Sequence, residues 1–205
     1  LSLSASEGRV PGDLLDRWLR EVVATPGLTA LGDHAEARRV LLDDALRGVE
    51  LVRSLAGPIV DVGSGGGTPG VPLAASLPDR EVTLLEAERR KCVFLERWLP
   101  ELPNLRVVHG RAEEQQPETY GVAVAKALAQ PVTAAEWCLP LVWEGGSVVL
   151  WVGPSADPNH VAVVAERLAA RLDPGPPGLL VLRKTGPTPP GFPRRSGMAK
   201  KRPLA

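Results

Sequence analysis

The sequence predicts an α/β fold built on a mostly parallel sheet, and three observations carry that prediction. From residue 58 onward, short β-branched runs alternate with helix-patterned stretches, and parallel strands need crossovers of that kind. The first run, Ile59-Val60-Asp61-Val62, opens directly into Gly63-Ser64-Gly65-Gly66-Gly67-Thr68-Pro69-Gly70. Strand, tight glycine turn and helix start together bring backbone N–H groups against a nucleotide-like ligand. The next run, residues 81–86, closes on the carboxylate of Glu86, placed where it could accept both hydroxyls of a ribose.

The elements follow in order. Residues 1–57 read as a helical segment packed on the core. Leu14, Leu15, Trp18, Leu19, Val22 and Val23 recur at helix-compatible spacing. A second helix follows Asp33, a suitable N-cap, and turns Ala37, Val40, Leu41, Ala45, Leu46, Val49 and Val52 inward until Gly57-Pro58 ends it. The core, residues 58–185, is expected to hold strands at 58–62, 81–86, 105–109, 121–126 and 147–152. Helices are expected at about 69–77, 87–99 and 131–141, with a shorter turn after Arg111. A long helix at 158–172 and a strand at 179–184 complete it. Asp-Pro-Gly-Pro-Pro-Gly lies between those two and cannot form an interior strand. The strand at 179–184 is therefore expected to be the last and antiparallel, with its predecessor missing or reduced to a stub. Residues 186–205 form a basic tail rich in proline and glycine.

The glycine loop narrows the ligand. A dinucleotide fingerprint wants a glycine at the sixth place, where Thr68 stands, and no Lys-Ser or Lys-Thr pair follows to make a P-loop. Asp61-x-Gly63-x-Gly65-x-Gly67 after a strand, with Glu86 ending the next, resembles the pattern of class I S-adenosylmethionine-dependent methyltransferases. That pattern makes Asp61, Gly63, Gly65, Gly67 and Glu86 candidate cofactor residues.

A closer resemblance runs from Gly57 to the C-terminus. It is carried by Asp61 to Leu73, with its Gly67-Thr-Pro-Gly70-Val-Pro72 core, by Thr83-Leu-Leu-Glu86, and by Arg89-Arg-Lys91 with Phe94-Leu95. Val108-His-Gly-Arg111-Ala112-Glu113-Glu114, Ala125-Lys126-Ala127-Leu128 and Trp137-Cys138-Leu-Pro140 continue it, and Pro193-Arg194-Arg195-Ser-Gly197 closes it. These stretches are similar to the glucose-inhibited division protein B family, RsmG-type methyltransferases of 16S ribosomal RNA. The resemblance implies S-adenosyl-L-methionine as cofactor and N7 of a guanine in 16S RNA, free or in the small ribosomal subunit, as acceptor. Gly63 and Thr68 match cofactor contacts, and Ala112 and Glu113 match the pair that brackets the adenine. Lys126 falls where the family usually has arginine, next to the cofactor, and is read as a positioning residue. The N-terminal region departs too, with Leu42-Asp43-Asp44-Ala45 where the family commonly has a histidine shortly before an Asp-Ser pair. These departures leave room for another RNA or small-molecule acceptor on the same fold, or for a non-catalytic RNA-binding protein of ribosome assembly.

Net charge is zero over 205 residues, yet Arg183, Lys184, Arg194, Arg195, Lys200, Lys201 and Arg202 follow Leu182 with no acidic residue among them. A basic tail with little to bury reads as a phosphate-contacting arm, with Arg194, Arg195, Lys200 and Lys201 as its RNA contacts. Two isolated cysteines, Cys92 and Cys138, fit reduced thiols in a reducing compartment. Three histidines without ligand spacing argue against a metal site. No apolar run approaches the roughly 20 residues that span a bilayer. The expectation is a cytoplasmic monomer without metal or membrane anchor.

Overall fold

A computed structural model describes residues 11–205; the first ten residues of the expected N-terminal segment lie outside the described residues. Seven strands form one sheet: β1 (Ile59–Val62), β2 (Val82–Glu86), β3 (Leu105–His109), β4 (Tyr120–Lys126), β5 (Val142–Trp151), β6 (Ala170–Asp173) and β7 (Leu179–Lys184), in the order β3-β2-β1-β4-β5-β7-β6. The first five are parallel and β7 runs antiparallel to both of its neighbours. Every residue of β1 and β2 is buried, which is why both read as unbroken runs instead of alternating patterns.

Helices cover both faces. One face carries α1 (Pro11–Ala24), a helical stretch from His34 to Ser54, α5 (Gly70–Ser76) and α6 (Arg89–Glu96). Trp18, Leu19, Leu42, Leu73 and Leu95 meet Ile59 and Leu84 in that core. On the other face, α7 (Pro131–Cys138) and α8 (Pro158–Arg167), each with the residue that follows it, pack Ala135, Leu139, Val161 and Leu168 against Val60, Ala123 and Val148. Cys92 and Cys138 are buried and unpaired.

The stretch from His34 to Ser54 is not one regular helix. Asp33 caps it as expected, its carboxylate accepting from the Glu36 N–H at 2.8 Å. After α2 (His34–Ala37) the chain widens into a π-helical turn, Arg38–Asp43, before α3 (Asp44–Leu46) and α4 (Val49–Ser54). Within this turn the Asp44 N–H reaches back five residues to the Arg39 carbonyl.

The C-terminal half corrects the sequence expectation in two places. The strand before β7, expected to be missing or reduced to a stub, is present as four residues at the sheet edge. It is β6, made from residues expected to end the helix at 158–172. Helix α8 stops at Arg167, Ala169 takes φ +52°, and Ala170–Asp173 pairs with β7 at the sheet edge. Ala-Ala-Arg-Leu favours a helix, but pairing with Leu182 and Arg183 and the Arg171–Asp173–Arg183 charges (2.7 and 3.6 Å) prevail. Strand β5 also starts five residues early, at Val142. Gly145 at φ +82° and a register shift against β4 keep the longer strand paired.

Candidate active site

The glycine loop leaves the C-terminal end of β1 and is held by backbone. Gly63 and Ser64 donate to the Leu85 carbonyl at 2.8 and 3.2 Å, and Gly67 donates to the Ser64 carbonyl at 2.7 Å. Gly63 sits at φ +70°, and a Cβ there would lie 2.2 Å from a methyl of Leu128. Both facts demand glycine. From the other side, the buried Trp18 indole N–H donates to the Gly66 carbonyl at 2.9 Å, so α1 fixes the loop's height.

Glu86 is tied into this loop. One carboxylate oxygen accepts from the Gly65 N–H at 2.8 Å and the other from the Glu88 N–H at 2.7 Å. The group is nearly buried, at 7 % exposure, and keeps further lone pairs for hydroxyl donors. Asp61 has a different place. It lies beneath the loop, one oxygen accepting from the Gly70 N–H at 3.0 Å and the other without a partner among the described residues. Burial raises its carboxyl to about 7 against the pull of the Gly70 bond, and the charge of Glu86 adds to the rise.

A cavity of about 540 Å³ opens along the ends of β1 to β4. Of the candidate cofactor residues, Gly63, Gly65, Thr68, Glu86, Ala112, Glu113 and Lys126 line it. Asp61 and Gly67 do not; they support the loop from below, with Gly67 packed against Val71, Leu95 and Trp18. The Thr68 hydroxyl is spent on the Leu41 carbonyl at 2.6 Å, inside the π-helical turn. Lys126 is not a free cation: its Nζ donates to Asp44 Oδ2 at 2.6 Å, with the side chain only 12 % exposed.

The C-terminal segment reaches the same cavity. Arg194 is expected from its charge to meet phosphate, but its guanidinium forms a two-pronged pair with the buried Glu136 at 2.5 and 2.6 Å. Gly197 N–H donates to Glu113 at 3.1 Å and Ser196 to Glu114 at 3.1 Å. A last short helix, α9 (Met198–Lys201), buries Ala199 and sets the Lys200 ammonium 5.4 Å from the Trp137 ring, both lining the cavity. Arg195 and Lys201 remain exposed. Lys184 is buried, donating to Leu139 O and Thr188 Oγ1 at 3.2 and 2.8 Å, and burial lowers its ammonium's pKa. The tail thus has more to bury than its composition indicates.

Several lining residues escape the sequence reading: Leu28 and Thr29 after α1, Lys91 on α6, and Trp137 on α7. The Trp137 indole N–H has no partner among the described residues. Only the Arg-Arg-Lys and Trp-Cys motifs offered a signal for the last two, and neither motif says which way a side chain faces.

A mostly parallel seven-stranded sheet with an antiparallel end, a glycine loop after β1 and a carboxylate ending β2 define a class I methyltransferase fold. Solved structures share it. A CurJ carbon methyltransferase superposes with a TM-score of 0.57 at 12 % identity, covering 76 % of this chain and 59 % of that one. The T. thermophilus 16S rRNA N2 G1207 methyltransferase, solved with AdoMet and guanosine, does so with 0.51 at 17 %, covering 73 % and 40 %. Sequence comparison is narrower. The family described as rRNA small subunit methyltransferase G matches residues 15–168. Ribosomal RNA small subunit methyltransferase G of Symbiobacterium thermophilum is 34 % identical over all of this chain and 94 % of its own, and that of Moorella thermoacetica is 34 % identical over 86 % and 82 %. The chain belongs to this family, rRNA small subunit methyltransferase G.

Proposed function

We propose that this chain transfers a methyl group from S-adenosyl-L-methionine to N7 of a guanine in 16S ribosomal RNA, in free RNA or the small subunit. The observation that carries the reading is Glu86 bonded to the Gly65 N–H at the rim of the cavity. A carboxylate for a ribose stands there beside a glycine loop that lets a ligand approach the backbone closely. Family membership and the relatives' names support the RNA acceptor.

The cavity residues fit that cofactor. Its 540 Å³ lies within the usual range of about 300–1,000 Å³ for ligand sites. Ala112 and Trp137 offer apolar walls for an adenine. When bound, the cofactor supplies an electrophilic methyl on a cationic sulfur. The pairing of Lys126 with Asp44 matters for that charge, because a lone ammonium here would repel it.

Guanine N7 carries a free lone pair, so no proton need leave before the methyl arrives. This is why no histidine or unpaired lysine is required as a base beside the cofactor. The residues' work is orientation, holding nucleophile and methyl in line at about 3–3.5 Å. Lys126 positions through its fixed head group and takes no proton. No helix among the described residues is long and apolar enough to cross a membrane, and no metal-holding cluster occurs among them. We place the reaction in the cytoplasm, with the chain acting as a monomer.

Methyl transfer from labelled cofactor to free 16S RNA and to small subunits, followed by mapping of the modified base, tests the reaction. Label at guanine N7 is expected, and label elsewhere would reassign the acceptor. Glu86→Ala is expected to weaken cofactor binding by about 1–3 kcal/mol. Calorimetry showing undiminished affinity in that variant would remove the cofactor assignment.

A further inference from the structure

A second cavity, of about 750 Å³, adjoins the first. Its floor is the end of β4 and β5, and its opposite wall is the π-helical turn Arg38–Asp43 with the residues just after it. The two cavities share only Lys126 and Ala127. That shared wall is a ridge at the carboxyl end of β4, where open α/β sheets place ligands. A methyl donor in the first cavity can meet an acceptor in the second across it.

The charges of this second cavity suit a nucleotide. Arg39 and Arg47 stand at its mouth with side chains 73 % and 55 % exposed; Arg39 is open to a phosphate beside a splayed base, and Arg47 offers the N–H groups not spent on Asp44. Inside, Asp44 is committed to Lys126 and Arg47, at 2.6 and 2.8 Å. Asp43 is the carboxylate left over. Its nearest cation is Arg38 at 3.7 Å, and it is half exposed. A carboxylate accepts from the adjacent N1–H and N2–H donors of guanine, whereas adenine presents a lone pair at N1. The guanine edge bearing N7 is opposite that pair, so a base held by Asp43 turns N7 away from the turn. A third cavity near β4 and β5 is smaller, about 230 Å³, and has no ionisable residue in its wall.

We propose that the target guanine of the RNA enters the cavity between the π-helical turn and the ends of β4 and β5, where Asp43 reads its N1–H and N2–H edge and Arg39 and Arg47 hold flanking phosphates. The proposal rests on the methyl-transfer reading above. It assigns the acceptor to the N-terminal helices, whereas sequence composition pointed for RNA contact to the C-terminal tail.

Filling each cavity in turn tests it. Val40→Trp, in the proposed acceptor wall, is expected to lower kcat/KM for RNA at least about tenfold with cofactor affinity unchanged by calorimetry. Ser155→Trp, in the smaller cavity, is expected to leave both near the parent. RNA turnover retained by Val40→Trp, or lost by Ser155→Trp alone, would overturn the assignment. Should Val40→Trp lower the melting temperature, Arg39→Ala reads the same question from the exposed mouth. It is expected to raise KM for RNA with kcat and cofactor affinity kept, and unchanged KM would count against the site. Asp43→Asn is expected to raise the share of methyl transferred to RNA with adenine at the target. A parent that binds cofactor but labels no RNA would sink the reaction itself, an outcome distinct from the failure of the cavity variants.

Discussion

The glycine loop and the C-terminal segment reach the same cavity from opposite ends, and they are built from different materials. The loop is positioned through its backbone: left-handed glycines, the Leu85 carbonyl on β2, and the Gly66 carbonyl held by the Trp18 indole from α1. The segment is positioned by side chains: Arg194 on Glu136, Ser196 on Glu114, Lys184 on buried carbonyls. Backbone demands leave a mark in sequence, because only glycine meets them. Side-chain pairing leaves none, because a cation spent on a carboxylate looks the same as one held out for phosphate.

The largest expected effect lies under the loop. Asp61 titrates near 7 in the fold and near 3.8 when unfolded, so the folded state binds the extra proton. Its contribution is fully present below pH 4 and is lost as pH rises towards 7, by up to about 4 kcal/mol. Denaturation of parent and Asp61→Asn between pH 4 and 7 should show that part of the slope only in the parent. Equal slopes would mean that the carboxyl titrates normally in the fold.

Next in size, Gly63→Val should cost about 3 kcal/mol through the left-handed φ and the contact with Leu128. It should also abolish cofactor binding, and a variant of parental stability that still binds would show that the loop adapts.

Arg194→Ala brings the comparison to a point. With Glu136 left buried and unpaired, we expect a loss of about 2 kcal/mol in stability. Cofactor affinity should fall several-fold, since Glu113 and Lys200 lose their anchor. A free RNA-binding arm predicts the opposite: unchanged stability and unchanged cofactor affinity.

The smallest effects belong to the exposed cations. Arg195→Ala and Lys201→Ala should leave stability and cofactor affinity alone and reduce the salt slope of RNA binding by about 0.7–0.9 each. An unchanged slope would place the phosphate contacts elsewhere, with Arg39 and Arg47 the first to examine.

Much of the fold was legible because β1, β2 and β4 are buried almost throughout, so apolar residues dominate them and glycine or charge marks their ends. Ala170–Asp173 was not, since helix-favouring residues were recruited by an edge pairing visible only in three dimensions. In the site, Gly63, Gly65 and Glu86 were legible from local pattern, and Ala112, Glu113 and Lys126 from family resemblance. Asp44 and Trp18 were not, because each acts on a residue far along the chain: Lys126 in one case, Gly66 in the other.

The π-helical turn gives the N-terminal helices an extra residue. Its i-to-i+5 closure, from Asp44 back to Arg39, holds one residue more than an α-helical turn would. Removing a single residue there would close the turn to regular i-to-i+4 bonding and leave the helices on either side nearly in phase. What would be lost is local: the Leu41 carbonyl that accepts from Thr68, and the placing of Arg39, Val40 and Asp43 along the second cavity, all belong to the widened turn. Exposed side chains along this segment can therefore change freely in kind, while the extra residue itself is what its inner face cannot spare. The helix works as a key cut to one depth, with the spare residue as the notch.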